Sequence, residues 1–199
     1  MKIYDISQEV FSCKVFPGDP SPEKTELMKI ERGDICNLTE IKMCAHNGTH
    51  VDAPYHFIDG DETIDQVALD KFIGPAYVAE YDGMLNREDA LRVIEEARSC
   101  DAKAAERILV KGNVTVTTEA AEVFAEANIK LFGNESQTVG PEDAPMAVHL
   151  IMLGAKIVLL EGIRLADVPV GTYLLNAAPI NLGGSDGAPC RAVLIEIEG

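Results

Sequence analysis

Short apolar runs alternate with amphipathic stretches through the middle of this chain, and this alternation limits its fold more than any other feature. Residues 75–81 and 107–111 have the composition of buried strands. Residues 87–98 carry apolar side chains on a helical period and follow Asn86, a residue type that often caps helices. Strands and helices that alternate in sequence are typical of α/β domains. We therefore predict an α/β fold.

The rest of the chain continues this pattern and adds strands that no helix separates. Helices are predicted over residues 119–127, with Thr118 as the cap, and over residues 145–153, which Gly154 ends. Further strands are predicted over residues 2–7, 38–44, 130–132, 156–161, 173–178 and 191–198. Because some of these strands have no helix between them, we expect an antiparallel or barrel-like layer beside the alternating part.

Length and composition are those of a soluble globular protein. A chain of 199 residues fits a single domain, residues 1–199. Its 47% hydrophobic and 25% charged residues argue against a disordered, fibrous or membrane protein. The start, MKIYDISQEV, lacks the long apolar run behind a basic flank that a secretory signal has. We therefore predict a cytoplasmic location.

The charge balance narrows the range of partners. With 33 acidic and 17 basic residues, the chain has a formal net charge of −16, which repels nucleic acid and anionic membranes. The five cysteines are scattered without a Cys-x-x-Cys pair, which indicates reduced thiols rather than a zinc knuckle or a redox motif. A small molecule is the class of partner that we expect.

Three of the four histidines lie in one short stretch, HNGTHVDAPYH, which also contains an aspartate. Its candidate ligands all have even numbers, so an extended backbone would point them to one side: His46, His50, Asp52 and His56. Neutral imidazoles and a carboxylate suit zinc, manganese or iron better than calcium or magnesium, which prefer oxygen. The stretch therefore predicts a transition-metal site, with structural histidines as the competing interpretation.

Two further polar residues, His149 and Glu161, lie in segments that are otherwise apolar. His149 lies in a predicted helix, and Glu161 ends the apolar strand that follows it. A carboxylate behind such a strand needs a partner, because burying an unpaired charge is costly. A core histidine bonded to backbone and a salt bridge from Glu161 to Arg164 are the structural alternatives to a functional role.

Residues 46–57 resemble the HxGTHxDxPxHF signature of the cyclase family, which includes bacterial kynurenine formamidases and isatin hydrolase. Weaker similarity continues at residues 4–7, 17–19 and 186–193. The resemblance implies a swivelling β/β/α fold that assembles as a homodimer or a larger oligomer. It also implies bound Zn²⁺, one or two ions per chain, with Mn²⁺ as the alternative.

The same resemblance implies a role for each candidate residue. Five residues would bind metal: His46, His50, Asp52, His149 and Glu161. Asp52 would bridge two metals, and His149 and Glu161 would serve mainly the second. His56 would donate and accept the proton, a role that suits imidazole because its ordinary pKa lies near neutrality.

The activity implied is hydrolysis of a small-molecule amide by metal-activated water, with N-formylkynurenine of tryptophan catabolism as the first choice of substrate. Kynurenine formamidases commonly carry a substrate-contacting tryptophan where this chain has Phe16, so we expect Phe16 to contact the substrate. Residues 138–140, Thr-Val-Gly, also stand where Ser-Val-Asp is more usual. A cyclic amide or lactone substrate, as for isatin hydrolase, and a metal-binding protein without turnover are the alternatives.

Overall fold

The computed structural model describes residues 1–196, which form 13 strands and three α-helices. The strands are β1 (Lys2–Asp5), β2 (Glu23–Met28), β3 (Leu38–Lys42), β4 (His50–Asp52), β5 (Ile73–Glu80), β6 (Gly83–Leu85), β7 (Arg107–Lys111), β8 (Val114–Val116), β9 (Leu131–Asn134), β10 (Val158–Glu161), β11 (Gly171–Asn176), β12 (Gly187–Pro189) and β13 (Val193–Glu196). The helices are α1 (Arg87–Cys100), α2 (Thr118–Glu126) and α3 (Met146–Gly154). The last two residues of the strand predicted over 191–198 lie outside the described residues.

Nine strands form one mixed sheet in the order β1-β13-β11-β5-β7-β9-β10-β4-β12. At its centre β5, β7, β9 and β10 run parallel, and α1, α2 and α3 lie in the connections between them. The flanking strands pair antiparallel. The predicted α/β fold with an added antiparallel layer is therefore confirmed.

Each face of this sheet buries its own apolar cluster. Ile108 and Val110 of β7 pack beneath the helices, whereas Leu109 between them belongs to the cluster on the other face. That second cluster joins residues from both flanks of the sheet, because the sheet curls around them. Among the described residues, no helix is both long and apolar enough to cross a membrane.

The N-cap residues of the three helices can be compared with the predicted ones. Asn86 caps α1 as predicted, since its side chain accepts hydrogen bonds from two backbone N–H groups of the first turn. The cap of α2 is Thr117 and not Thr118, because the Thr117 side chain accepts from the N–H of Ala120 at 3.3 Å. Pro145 was expected inside the third helix but precedes it as the N-cap residue, a helix end where its missing N–H is not needed.

The three-residue strand β4 places the candidate site in the sheet. It lies between β10 and β12 and is antiparallel to both. Its register sets Asp52 opposite Leu159 and Gly187, and His50 opposite Glu161. A strand this short leaves no periodic pattern in the sequence, so only the preceding strand was predicted. The pairing brings together segments that are far apart along the chain.

Replacing Leu159 with Ala should lower the free energy of unfolding by about 2–5 kcal/mol, because this fully buried side chain would leave a cavity beneath the helices. Urea denaturation followed by circular dichroism measures the change. Leu91→Ala, on the exposed side of α1, is the matched control and should change the value by less than about 0.5 kcal/mol. Equal effects of the two variants would contradict this assignment of the core.

Candidate metal centre

One cleft gathers the residues that the sequence predicts for the site. It encloses about 210 Å³ and lies beside the carboxyl end of β10. Its walls include Phe16, His46, His50, His56, His149 and Glu161. Asp52 lies beneath them with 1% of its side chain exposed. All seven predicted side chains are thus in one place, although their roles stay predictions.

Local backbone structure sets the directions of the histidine-rich stretch. Gly48 has φ of 69°, a left-handed conformation that favours glycine, and it turns the chain between His46 and β4. β4 holds His50 and Asp52 in the sheet, and a short 3₁₀ turn, Pro54–His56, follows. The stretch is therefore not one extended run: His46 and His56 reach the cleft through turns on either side of β4.

The carboxylate of Asp52 lies between two groups of side chains, with His46 and His50 on one side and His149 on the other. Its Oδ1 is 2.9 Å from His46 Nδ1 and 3.4 Å from His50 Nε2. Its Oδ2 lies on the other side, 3.6 Å from His149 Nε2. One buried carboxylate therefore faces ligand atoms on both of its oxygens.

Glu161 completes the second group. Its Oε1 is 3.3 Å from His149 Nε2, and its Oε2 is 3.4 Å from His50 Nε2. The backbone N–H of Val139 donates to Oε1 at 2.9 Å, which fixes the carboxylate at the end of β10. The predicted alternative, a salt bridge to Arg164, is not the contact that Glu161 makes in the described chain, where its ion-pair partners are His50 and His149.

Two buried polar atoms in this cluster have no hydrogen-bond partner among the described residues: His50 Nε2 and Asp52 Oδ2. The Nδ1 atoms of His50 and His149 are hydrogen-bonded to the backbone. His50 Nδ1 donates to the Gly48 carbonyl at 3.0 Å, and His149 Nδ1 donates to the Pro145 carbonyl at 2.8 Å. Such bonds direct both Nε2 atoms towards the carboxylates, as in histidines that bind metals. Buried polar atoms without a partner are costly, and bound cations would satisfy them.

Three groups of side chains bring candidate ligand atoms within 4.8 Å of one another. Two of them share the buried Asp52: the first group is His46, His50 and Asp52, and the second is Asp52, His149 and Glu161. The third, His46, His56 and Asp186, is only partly buried and does not include Asp52. Imidazole and carboxylate together favour a transition metal such as zinc or manganese.

Without a metal, the carboxylates keep protons on the imidazoles. Burial lowers the pKa of His46, but the charge of Asp52 and the hydrogen bond with Asp186 outweigh it and raise this pKa to about 11. Burial also opposes protonation of His50, whose pKa the carboxylates of Asp52 and Glu161 raise to about 9. Burial would raise the pKa of Asp52, but the neighbouring histidines hold it well below its ordinary value.

Asp186 is the site residue that sequence reasoning missed. In the sequence it stands only in a glycine-rich turn and at the start of the weaker family similarity over residues 186–193. In the structure its Oδ2 lies 2.8 Å from His46 Nε2 and 3.0 Å from His56 Nδ1. Thr138 and Gln137, both nearly buried, also line the cleft and were not predicted as site residues. The sequence marks Thr138 only as part of the Thr-Val-Gly segment that stands where Ser-Val-Asp is more usual, and it assigns no role to Gln137.

Comparisons with known proteins point to one family. The sequence profile of the Cyclase family, described as "Putative cyclase", matches residues 4–141. A kynurenine formamidase from Salinibacter ruber is 33% identical over 210 residues, which cover 98% of this chain and 97% of that protein. The solved structure of a potential metal-dependent hydrolase with cyclase activity has a TM-score of 0.83 at 25% identity, covering 100% of this chain and 99% of that one. Isatin hydrolase A from Labrenzia aggregata, bound to benzyl benzoate, shares the fold with a TM-score of 0.83 at 22% identity, covering 99% and 94%.

Metal binding to this cluster should release protons and strengthen as the pH rises. Ligand histidines must be neutral, whereas the pKa values of His46 and His50 are about 11 and about 9, so a cation competes with protons at neutral pH. From about pH 6 to pH 8, Zn²⁺ affinity should rise about tenfold per pH unit for each proton displaced. Titration against a competing chelator measures this affinity, and a pH-stat counts the protons. An affinity that is independent of pH would contradict the raised pKa values of His46 and His50.

Proposed function

Because the chain belongs to the cyclase family, we propose that it is a metal-dependent hydrolase that cleaves the amide bond of an N-formyl aromatic amine, with N-formylkynurenine as the first substrate to test. The observation that carries the proposal is the position of Asp52, whose two oxygens face separate groups of metal-ligating atoms. The kynurenine formamidase that matches almost the whole chain supports the choice of substrate.

The proposed ligands follow from the two groups. His46 Nδ1 and His50 Nε2 would hold one metal, and His149 and Glu161 would hold the other, with Asp52 shared. When bound, a divalent ion supplies Lewis-acid chemistry, since it polarises a carbonyl and activates water as a nucleophile. We propose Zn²⁺, two ions per chain, with Mn²⁺ as the alternative.

His56 has the position of a proton-transfer group. Its side chain is 26% exposed in the cleft, whereas that of His50 is 1% exposed, so His56 is the more accessible to a substrate. Its ring stacks on His46 with centroids 4.1 Å apart, which places it next to the first group of ligands. We propose that His56 accepts a proton from the attacking water and returns it to the leaving nitrogen.

The aromatic part of the substrate would meet aromatic walls. Phe16 and Phe57 both line the cleft, and the Phe57 ring stacks on His149 with centroids 4.5 Å apart. Flat apolar walls favour a flat ring, because aromatic pairs are stabilised beyond simple burial. We therefore propose that Phe16 contacts the substrate in the place that tryptophan commonly takes in kynurenine formamidases.

The setting of the enzyme completes the proposal. We propose a single-domain protein that acts in the cytoplasm, in tryptophan catabolism, as a homodimer or a larger oligomer. The hairpin of β2 and β3 supports self-association, because it is a separate two-stranded sheet whose apolar side chains are about half exposed or more: Leu27, Leu38 and Ile41. An isolated two-stranded hairpin is marginally stable in water, so a second copy of the chain packed against these side chains would stabilise it.

Removal of metal should abolish hydrolysis of N-formylkynurenine, and return of Zn²⁺ or Mn²⁺ should restore it. Chelation followed by metal titration measures this, with bound metal counted by mass spectrometry and kynurenine followed by absorbance. Turnover of isatin or lactones but not of formanilides would move the substrate to a cyclic amide or lactone. Bound metal without turnover on any of these compounds would contradict the proposed hydrolase and favour a metal-binding protein.

His56→Ala should retain metal but lower kcat on the order of 10²-fold or more, because the proton acceptor is removed while the ligand groups are kept. His149→Ala is the matched comparison, since the same substitution at a proposed ligand should lower the bound metal per chain. Metal analysis and steady-state kinetics on both variants separate the two roles. Unchanged turnover in His56→Ala would remove His56 from the mechanism.

A further inference from the structure

One carboxylate oxygen of Asp186 serves two histidines at once. Its Oδ2 lies 2.8 Å from Nε2 of His46 and 3.0 Å from Nδ1 of His56. Because a carboxylate only accepts hydrogen bonds, both nitrogens must carry protons and donate to it. A single side chain therefore constrains a proposed metal ligand and the proposed proton-transfer group.

For His46, this contact decides which nitrogen is free for a metal. The opposite ring nitrogen, Nδ1, faces Asp52 Oδ1 at 2.9 Å, within the first group of ligands. A neutral imidazole has one N–H, so a ring that gives Nδ1 to a metal keeps its proton on Nε2. The carboxylate of Asp186 accepts the hydrogen bond from this Nε2–H. A carboxylate in this position orients a metal-binding histidine and raises its basicity.

For His56, the same oxygen selects the opposite tautomer. Its Nδ1 donates to Asp186, so Nε2 is left without the proton and can accept one. The stacking of the two rings, with 29° between their planes, keeps both beside this one oxygen. The geometry thus prepares one histidine for metal binding through Nδ1 and the other for proton transfer through Nε2.

The backbone around Asp186 is fixed by β4. The Asp186 carbonyl accepts a hydrogen bond from the N–H of Ala53 at 2.9 Å. Gly187 pairs with Asp52, and a Cβ on Gly187 would lie 2.7 Å from the Val51 carbonyl oxygen, so the strands approach closely there. The carboxylate is therefore anchored to the strand that carries the proposed shared metal ligand.

We propose that Asp186 is a positioning residue that sets the tautomers and ring orientations of both His46 and His56. This inference rests on the proposed function for its link to turnover. Its links to metal affinity and to histidine tautomers can be tested without any substrate.

Asp186→Asn is the direct test, because the amide keeps the shape but removes the negative charge that strengthens both hydrogen bonds from the imidazoles. Zn²⁺ affinity should fall about 10- to 100-fold, with the equivalents bound at saturation unchanged. Turnover at saturating Zn²⁺ should fall on the order of 10²-fold. Asp65→Asn is the matched control, since Asp65 accepts from the N–H of Gly184 in the same loop at 2.9 Å and touches no histidine of the site.

The variant His56→Ala separates the effect of Asp186 on metal binding from its effect on proton transfer. It should leave Zn²⁺ affinity unchanged, and adding Asp186→Asn to it should lower affinity as much as in the single variant. The two losses in kcat should not multiply, because Asp186 acts on proton transfer through His56. In the Zn²⁺-loaded wild-type protein, two-bond ¹H–¹⁵N spectra of the imidazoles should show protons on His46 Nε2 and His56 Nδ1.

Five results would overturn the inference. Four of them are Asp186→Asn with wild-type affinity and turnover, losses in kcat that multiply, the opposite histidine tautomers, and an equal loss in Asp65→Asn. The fifth is loss of one Zn²⁺ equivalent at saturation in Asp186→Asn, which would make Asp186 a ligand and not a positioning residue. If the wild-type protein hydrolyses none of the tested compounds, the proposed function fails, whereas the affinity and tautomer measurements still decide the role of Asp186.

Discussion

The buried carboxylate of Asp52 is the feature on which the rest of the site depends. It is held between β10 and β12, and its two oxygens face imidazoles from different parts of the chain. A carboxylate buried this deeply requires positive charge around it. The histidines provide that charge as protons when no metal is bound, and a metal ion would provide it instead. The central sheet thus buries a negative charge that either protons or metal ions must neutralise.

The sheet also explains why distant residues meet there. β4 pairs with β10, which sets His50 opposite Glu161, and α3 packs beside β10 to bring in His149. Around these groups, the carbonyl of Gly48 accepts hydrogen bonds from both His50 Nδ1 and the side chain of Gln137. Hydrogen bonds of this kind hold ligand rings in place before a metal arrives, which lowers the entropic cost of binding.

The sequence predicts the parts of this arrangement that are local, and it fails where contacts are long-range. His46, His50, Asp52 and His56 lie within one stretch, so residue types and spacing were enough to nominate them. The central strands were predictable from their runs of apolar residues, and α1 was predictable from apolar side chains on a helical period. By contrast, β4 and β12 have three residues each, and Asp186 lies 140 and 130 positions from the two histidines that it contacts, His46 and His56. Nothing local marks an aspartate in a glycine-rich turn as a partner of that stretch.

Anomalous X-ray scattering from crystals grown with Zn²⁺ tests the central claim most directly, because it locates the ions themselves. Two peaks on either side of Asp52 are expected, one beside His46 and His50 and the other beside His149 and Glu161. A peak elsewhere, or none at this carboxylate, would contradict the view that Asp52 is a ligand shared by two metals.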